Sequence, residues 1–223
     1  MSEIGATYFI KVYGSQRLGN RPKYSHTFAT FTEVQIAADR SEQRHQFTIS
    51  WLPQDGEIKP LGGPEPGRNY TLGETLAWLD ENGSKDRWES PETAIQARLF
   101  ESAVLRFNEL TRAALLYLMI DSFLVRPHQA SNCIHAVTDL PLALQNLGMC
   151  YTGVLHGISA SRFVYQYLSP FYLKPPETTA ATGWSFEQAE RRHFIIAAAV
   201  ESLVDAYTIR EGEIEASRSG RVG

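Results

Sequence analysis

His26-Thr-Phe-Ala-Thr-Phe-Thr-Glu-Val34 decides the fold class. It is built from threonine, phenylalanine and valine, with neither glycine nor proline, and these residue types fit a pleated, buried surface. Upstream, Tyr8-Phe-Ile-Lys-Val-Tyr13 has the same character and is expected to close at Gly14-Ser15, before a loop with Gly19, Asn20 and Pro22. Downstream, the polar run 38–44 reads as a hairpin loop into His45-Gln-Phe-Thr-Ile-Ser-Trp-Leu52. That segment alternates, with His45, Phe47, Ile49 and Trp51 on one face. The amino-terminal third is therefore expected to be antiparallel β-sheet.

Beyond it the period changes. Residues 53–69 carry a glycine and proline density, centred on Gly62-Gly-Pro-Glu-Pro-Gly67, that predicts a loop. Thr71 and Glu74 have capping-box spacing, and Asn82-Gly83 is a stop signal. Ser90-Pro91-Glu92 predicts a further helix start, with proline where no N–H is needed. Residues 113–124 are apolar and fit helix or buried strand equally. Helices are expected to open at Ser131-Asn132, to cover Ser159 to Leu168, and to run from Ser185 towards Ile214. Strands first and helices after make an α+β chain, expected as one domain over 1–180 with a helical extension over 181–223. The apolar stripe from Phe194 to Tyr207 would pack on that domain or on a second copy, giving a homodimer through the C-terminal helix.

Composition excludes several classes. Lys and Arg number 21 and Asp and Glu 25, a net charge of −4, which gives no nucleic-acid footprint. Two cysteines, Cys133 and Cys150, are too few for a disulfide framework or a four-cysteine zinc site. No GxGxxG or GxxxxGK[ST] string occurs, and no apolar run is long enough to span a bilayer. The amino end lacks a basic-then-apolar leader pattern, so a cytoplasmic chain without a transmembrane segment is expected. No cofactor is implied.

The string with most chemistry in it is Ser131-Asn132-Cys133-Ile134-His135. A Ser-Asn pair before an apolar segment is a helix start, which puts Cys133 in a first turn whose N–H groups favour a thiolate and an oxyanion. The plain alternative is a core thiol, because Cys133, Val137 and Leu140 share one helical face. A nucleophilic cysteine needs a base close in space. His26 and His45 lie on expected strands, whereas His135 is two residues from Cys133, roughly 200° round the helix. Asn132 and Tyr117 are candidates to support an oxyanion, Asn132 having a helix cap as its ordinary role.

A strand histidine followed by a polar partner on the next strand, several helices and Asn132-Cys133-x-His135 resembles the circularly permuted papain-like cysteine enzymes. Those in view are the NlpC-type amidases and the lecithin–retinol-acyltransferase-like enzymes. The latter carry an Asn-Cys-Glu-His-Phe string, against Asn132-Cys133-Ile134-His135-Ala136 here. The resemblance covers residues 8–150 and implies Cys133 as nucleophile and His26 as base. His45 is the favoured third residue, with Ser50, Asp39 and Asp55 as alternatives. It further implies a hydrolase or acyltransferase that passes through a thioester, acting on a small-molecule, peptide or lipid-like acyl substrate. Two rival readings stand beside it. His26, His45, His128 and His135 with Cys133 include zinc-ligand types, but no HExxH or CxxC spacing joins them. Four tryptophans and the aromatic run Phe163 to Tyr172 would also suit a non-catalytic interaction module.

Overall fold

β1 (Ala6–Gln16) and β2 (His26–Ile36) pair antiparallel along nearly their whole length, from Ala6 opposite Gln35 to Ser15 opposite His26. β3 (Glu42–Ile49) adds to β2, with Glu33 opposite His45 and Ala29 opposite Ile49. The computed structural model describes residues 6–17, 22–36, 40–59, 63–112, 115–119, 130–140 and 156–173. These all fall in the unit 1–179. Asp39, His128, Cys150 and the expected extension 181–223, with its dimer-forming stripe, lie outside the described residues.

Gly14, expected to end the first strand, lies inside it. A Cβ there would run into the Ser161 side chain and come within 3.2 Å of the Ile158 Cα, so the glycine admits a helix close to the sheet. That helix is α4, defined below.

The chain then forms β4 (Trp51–Pro53), β5 (Glu65–Asn69) and α1 (Leu72–Glu81), so the expected loop 53–69 contains a strand at its end. Gly67 explains why: its bare Cα receives the Trp51 indole from the paired strand, and any Cβ would collide with the ring. α1 carries the expected capping box. The Glu74 N–H donates to Thr71 Oγ1 at 3.3 Å and the Thr71 N–H donates to Glu74 Oε2 at 2.9 Å. Asn82 and Gly83 (φ 64°) end it as expected.

The helix expected from Pro91 does not form. Residues 86–95 make two strand pieces against β1, β6 (Asp86–Glu89) and β7 (Thr93–Ile95). Between them the Ser90 N–H donates to Val12 O at 2.8 Å, and Ser90 Oγ accepts from the Val12 N–H at 3.0 Å. Serine thus serves a strand edge here rather than a helix cap, and Pro91 falls where the edge needs no donor. α2 (Ala97–Thr111) starts six residues after the proline. Next come β8 (Leu116–Tyr117), β9 (Ala130–Ser131), α3 (Cys133–Thr138) and α4 (Gly157–Tyr167). The described chain is mixed α+β, with strands interleaved among the helices.

Two sheets result. One has the order β3-β2-β1-β6, with β7 also on β1; the other has β4-β5-β8-β9. All pairings are antiparallel except β8 with β9. The pleat divides the larger sheet into two faces. On one, Phe31 stacks on Phe47, and Phe47 touches Phe100 and Phe107 of α2 at centroid distances of 5.6 and 5.0 Å. Thr27 Oγ1 meets Ser161 Oγ of α4 at 2.8 Å on the same face, and α3 packs on β2, α4 and α2. All three helices therefore cover the face that bears Thr27, Ala29 and Phe31. The opposite face bears Phe28, stacked on Tyr13 at 4.7 Å, and His26, stacked on Phe28.

Candidate functional site

Cys133 is the first residue of α3, and its thiol, which forms no disulfide, is half-buried against the core. The turn before it is held from four directions. Ser131 O accepts from the Trp51 indole N–H at 3.1 Å and from the Leu118 N–H at 3.1 Å. Arg106 of α2 donates through Nη2 to Ser131 Oγ at 3.0 Å, and Asn132 Nδ2 donates to Met119 O at 3.4 Å. The strand pair β8–β9 sets Tyr117 directly opposite Ser131. Tyr117 is thus two residues from Cys133 in the ladder, and it is buried.

Asn132 is fully engaged as a cap. Its Oδ1 accepts from the Ile134 N–H at 3.0 Å and the His135 N–H at 2.9 Å. Those are two of the helix-start donors expected to receive an oxyanion, and both are already taken. The cap role of Asn132 is the one the geometry gives.

His26 is placed differently from expectation. Its ring is buried, stacked on Phe28 at 5.4 Å and met edge-on by Trp78 of α1 at 5.7 Å. Nε2 lies 2.9 Å from Ser50 Oγ, which lies 2.7 Å from Thr75 Oγ1, which in turn lies 2.8 Å from Thr71 O. Thr75 has one hydroxyl proton, so it donates to only one neighbour. Ser50 Oγ accepts from Thr75 when the Thr75 proton points that way, and the other ring nitrogen of His26, Nδ1, is buried with no hydrogen-bond partner. Burial pushes the His26 pKa down to about 3, so the ring is neutral near pH 7.

His26 and Cys133 are not brought together. His26, Phe28 and Ser50 share the face approached by α1, whereas α3 lies with α2 and α4 on the other. Of the candidate third residues, Ser50 is the one that touches His26. His45 sits opposite Glu33 and is exposed, seven positions along β2 from His26 (33 − 26). Asp55 is exposed too, accepting from the Glu57 N–H and from Lys59.

The remaining described histidines lie on the helical side. His135, two residues past Cys133, is bonded through Nδ1 to Asp139 Oδ2 at 2.8 Å, an i,i+4 pair. His156 is the residue before α4 and makes no side-chain bond to the helix start, and Ser161, the fifth residue of that helix, meets Thr27.

Arg106 carried no sequence signal, since an arginine within an amphipathic helix reads as part of its exposed face. Its side chain is only 5% exposed, paired to Glu109 Oε2 through Nη1 at 2.7 Å, and its buried Nε has no hydrogen-bond partner. Nη2 also comes within 3.5 Å of His135 O, so the guanidinium bonds on both sides of Cys133. Among the described residues no three His, Cys, Asp or Glu side chains come close enough to hold a metal ion. None of the described helices is long and apolar enough to cross a membrane. The sequence matches no model of a known protein family, and it matches no curated protein and no solved structure.

Proposed function

We propose that the chain is a thiol-dependent hydrolase or acyltransferase acting on an amide or ester bond, with Cys133 as its nucleophile. The observation that carries the reading is a half-buried cysteine, in no disulfide, on a turn gripped by Trp51, Leu118, Arg106 and Met119. A nucleophile must be held within a fraction of an ångström of its attack position, and this turn has that support. A cysteine-bearing helix against an antiparallel sheet also suits the papain-like arrangement that Asn132-Cys133-Ile134-His135 resembles.

The base in this reading differs from the one the resemblance implies. His26 faces away from α3 with Nε2 occupied, and His135 is turned round the helix from the thiol. His156 precedes a helix on the same face as Cys133, and Ser161, five residues on, meets Thr27 at the start of β2. In the reaction a histidine takes the thiol proton and the thiolate sulfur bonds to the carbonyl carbon. The tetrahedral adduct collapses, expelling the amine or alcohol, which leaves with that proton. Water or another acceptor then attacks the thioester, releasing the acyl group and restoring the thiol.

Iodoacetamide labelling of the full chain at neutral pH tests this. Cys133 is expected to react much faster than Cys150, and p-nitrophenyl acetate to leave an acetyl group on Cys133. Replacing His156 by alanine should slow both reactions more than replacing His26. Equal, slow labelling of the two cysteines would exclude the enzyme reading and leave a non-catalytic binding module.

A further inference from the structure

We propose that Arg106 is a positioning residue for Cys133, holding the turn on both sides of the thiol and supplying the positive charge that favours the thiolate. This rests on the reading of Cys133 as a nucleophile. A buried guanidinium is costly to desolvate unless it is fully paired, and this one is not, because Nε has no partner. Its carboxylate partner among the described residues, Glu109, has a side chain 36% exposed, against 5% for Arg106. Water therefore screens the negative partner more than the positive one, and the field at Ser131 and His135 is weighted to the cation. Two of the guanidinium's contacts are Ser131 Oγ and His135 O, which bracket the cysteine by two residues on each side. A lysine would keep the charge but not the fork that spans both.

The other titratable groups on the surrounding elements do not cancel this charge. Asp139 on α3 is bonded to His135. Glu65 of β5, opposite Tyr117 of β8, is paired with Lys59. Tyr165 and Tyr167 on α4 and Tyr117 on β8 are buried phenols, burial pushing that of Tyr167 up to about 12. The described part of these elements also carries His135, His156 and Arg162, with Arg98, Glu101 and Arg112 along α2 and Glu33 on β2, while His26 faces the other side of the sheet.

The experiment is the pH dependence of Cys133 alkylation by iodoacetamide in the full chain carrying Cys150→Ser. Arg106→Gln is expected to raise the midpoint by about one pH unit, tenfold in thiolate at fixed pH. Arg106→Lys should recover part of that shift. Glu109→Gln, at a half-exposed position, should move the midpoint the other way. An arginine with only a packing role would lower the melting temperature and leave all midpoints at the wild-type value, which overturns the proposal. Should Arg106→Gln fail to fold, an unmoved midpoint in Glu109→Gln overturns it as well. A wild-type Cys133 that does not label at any pH removes the enzyme reading itself, and with it the role of Arg106.

Discussion

Trp51 shows how one side chain links the smaller sheet to the cysteine. Its ring lies on Gly67, where any Cβ would collide with the indole, and its N–H donates to Ser131 O two residues before the thiol. Trp51→Phe retains an aromatic ring and loses the bond, an expected cost of about 1–2 kcal/mol in urea unfolding. Gly67→Ala keeps the bond donor and displaces the ring, an overpacking cost of roughly 1–3 kcal/mol. If the turn positions the thiol, both variants should also change the Cys133 labelling rate at fixed pH, whereas a thiol independent of Trp51 would label at the wild-type rate. The cysteine was legible in the sequence because Ser131-Asn132 announces a helix start. The residues that grip it were not, because Trp51 and Arg106 reach it over 80 and 25 residues of chain through hydrogen bonds that no local pattern records.

Among the elements, the ones read correctly are those whose signal is local. Thr71 and Glu74 satisfy each other's backbone within one turn, so spacing alone specifies the start of α1. Thr71→Ala is expected to cost about 1 kcal/mol. The Thr71 carbonyl that accepts from Thr75 is backbone and stays in place, so the loss is that of the side-chain cap alone. Equal melting temperatures for wild type and Thr71→Ala would show that α1 draws its stability from Trp78 and Leu79 alone. Ser90-Pro91 carries the same kind of signal and is overruled, because β1 offers Val12 as a partner for both the N–H and the hydroxyl of Ser90. Gly14 is overruled in the other sense: it reads as a stop, yet the strand continues so that α4 can come close. In each failure a long-range contact supplies what the local pattern predicted differently.

On the scale of the whole molecule, the larger sheet separates two chemistries: a thiol turn among helices on one face and a buried imidazole under α1 on the other. The sequence showed both residues and could not show which face each takes, because face depends on a register that only pairing fixes. The imidazole has a global consequence. Its folded pKa lies at about 3, below the roughly 6.5 of an unfolded histidine, so between those values the unfolded chain binds a proton that the folded chain does not. The stabilising effect of keeping His26 neutral is therefore complete above pH 6.5 and is lost as pH falls towards 3. From pH 7 to pH 5 this site alone should remove about 2 kcal/mol of unfolding free energy. His26→Gln, neutral throughout, should lack that component and lose correspondingly less over the same interval, whatever its stability at pH 7. Parallel losses in wild type and variant would mean that water or a neighbouring group accommodates the protonated ring, and that α1 does not seal His26 from solvent. A wild-type loss larger by about 2 kcal/mol, with Cys133 labelling in His26→Gln unchanged at neutral pH, would assign His26 to the fold and leave the thiol chemistry to the opposite face.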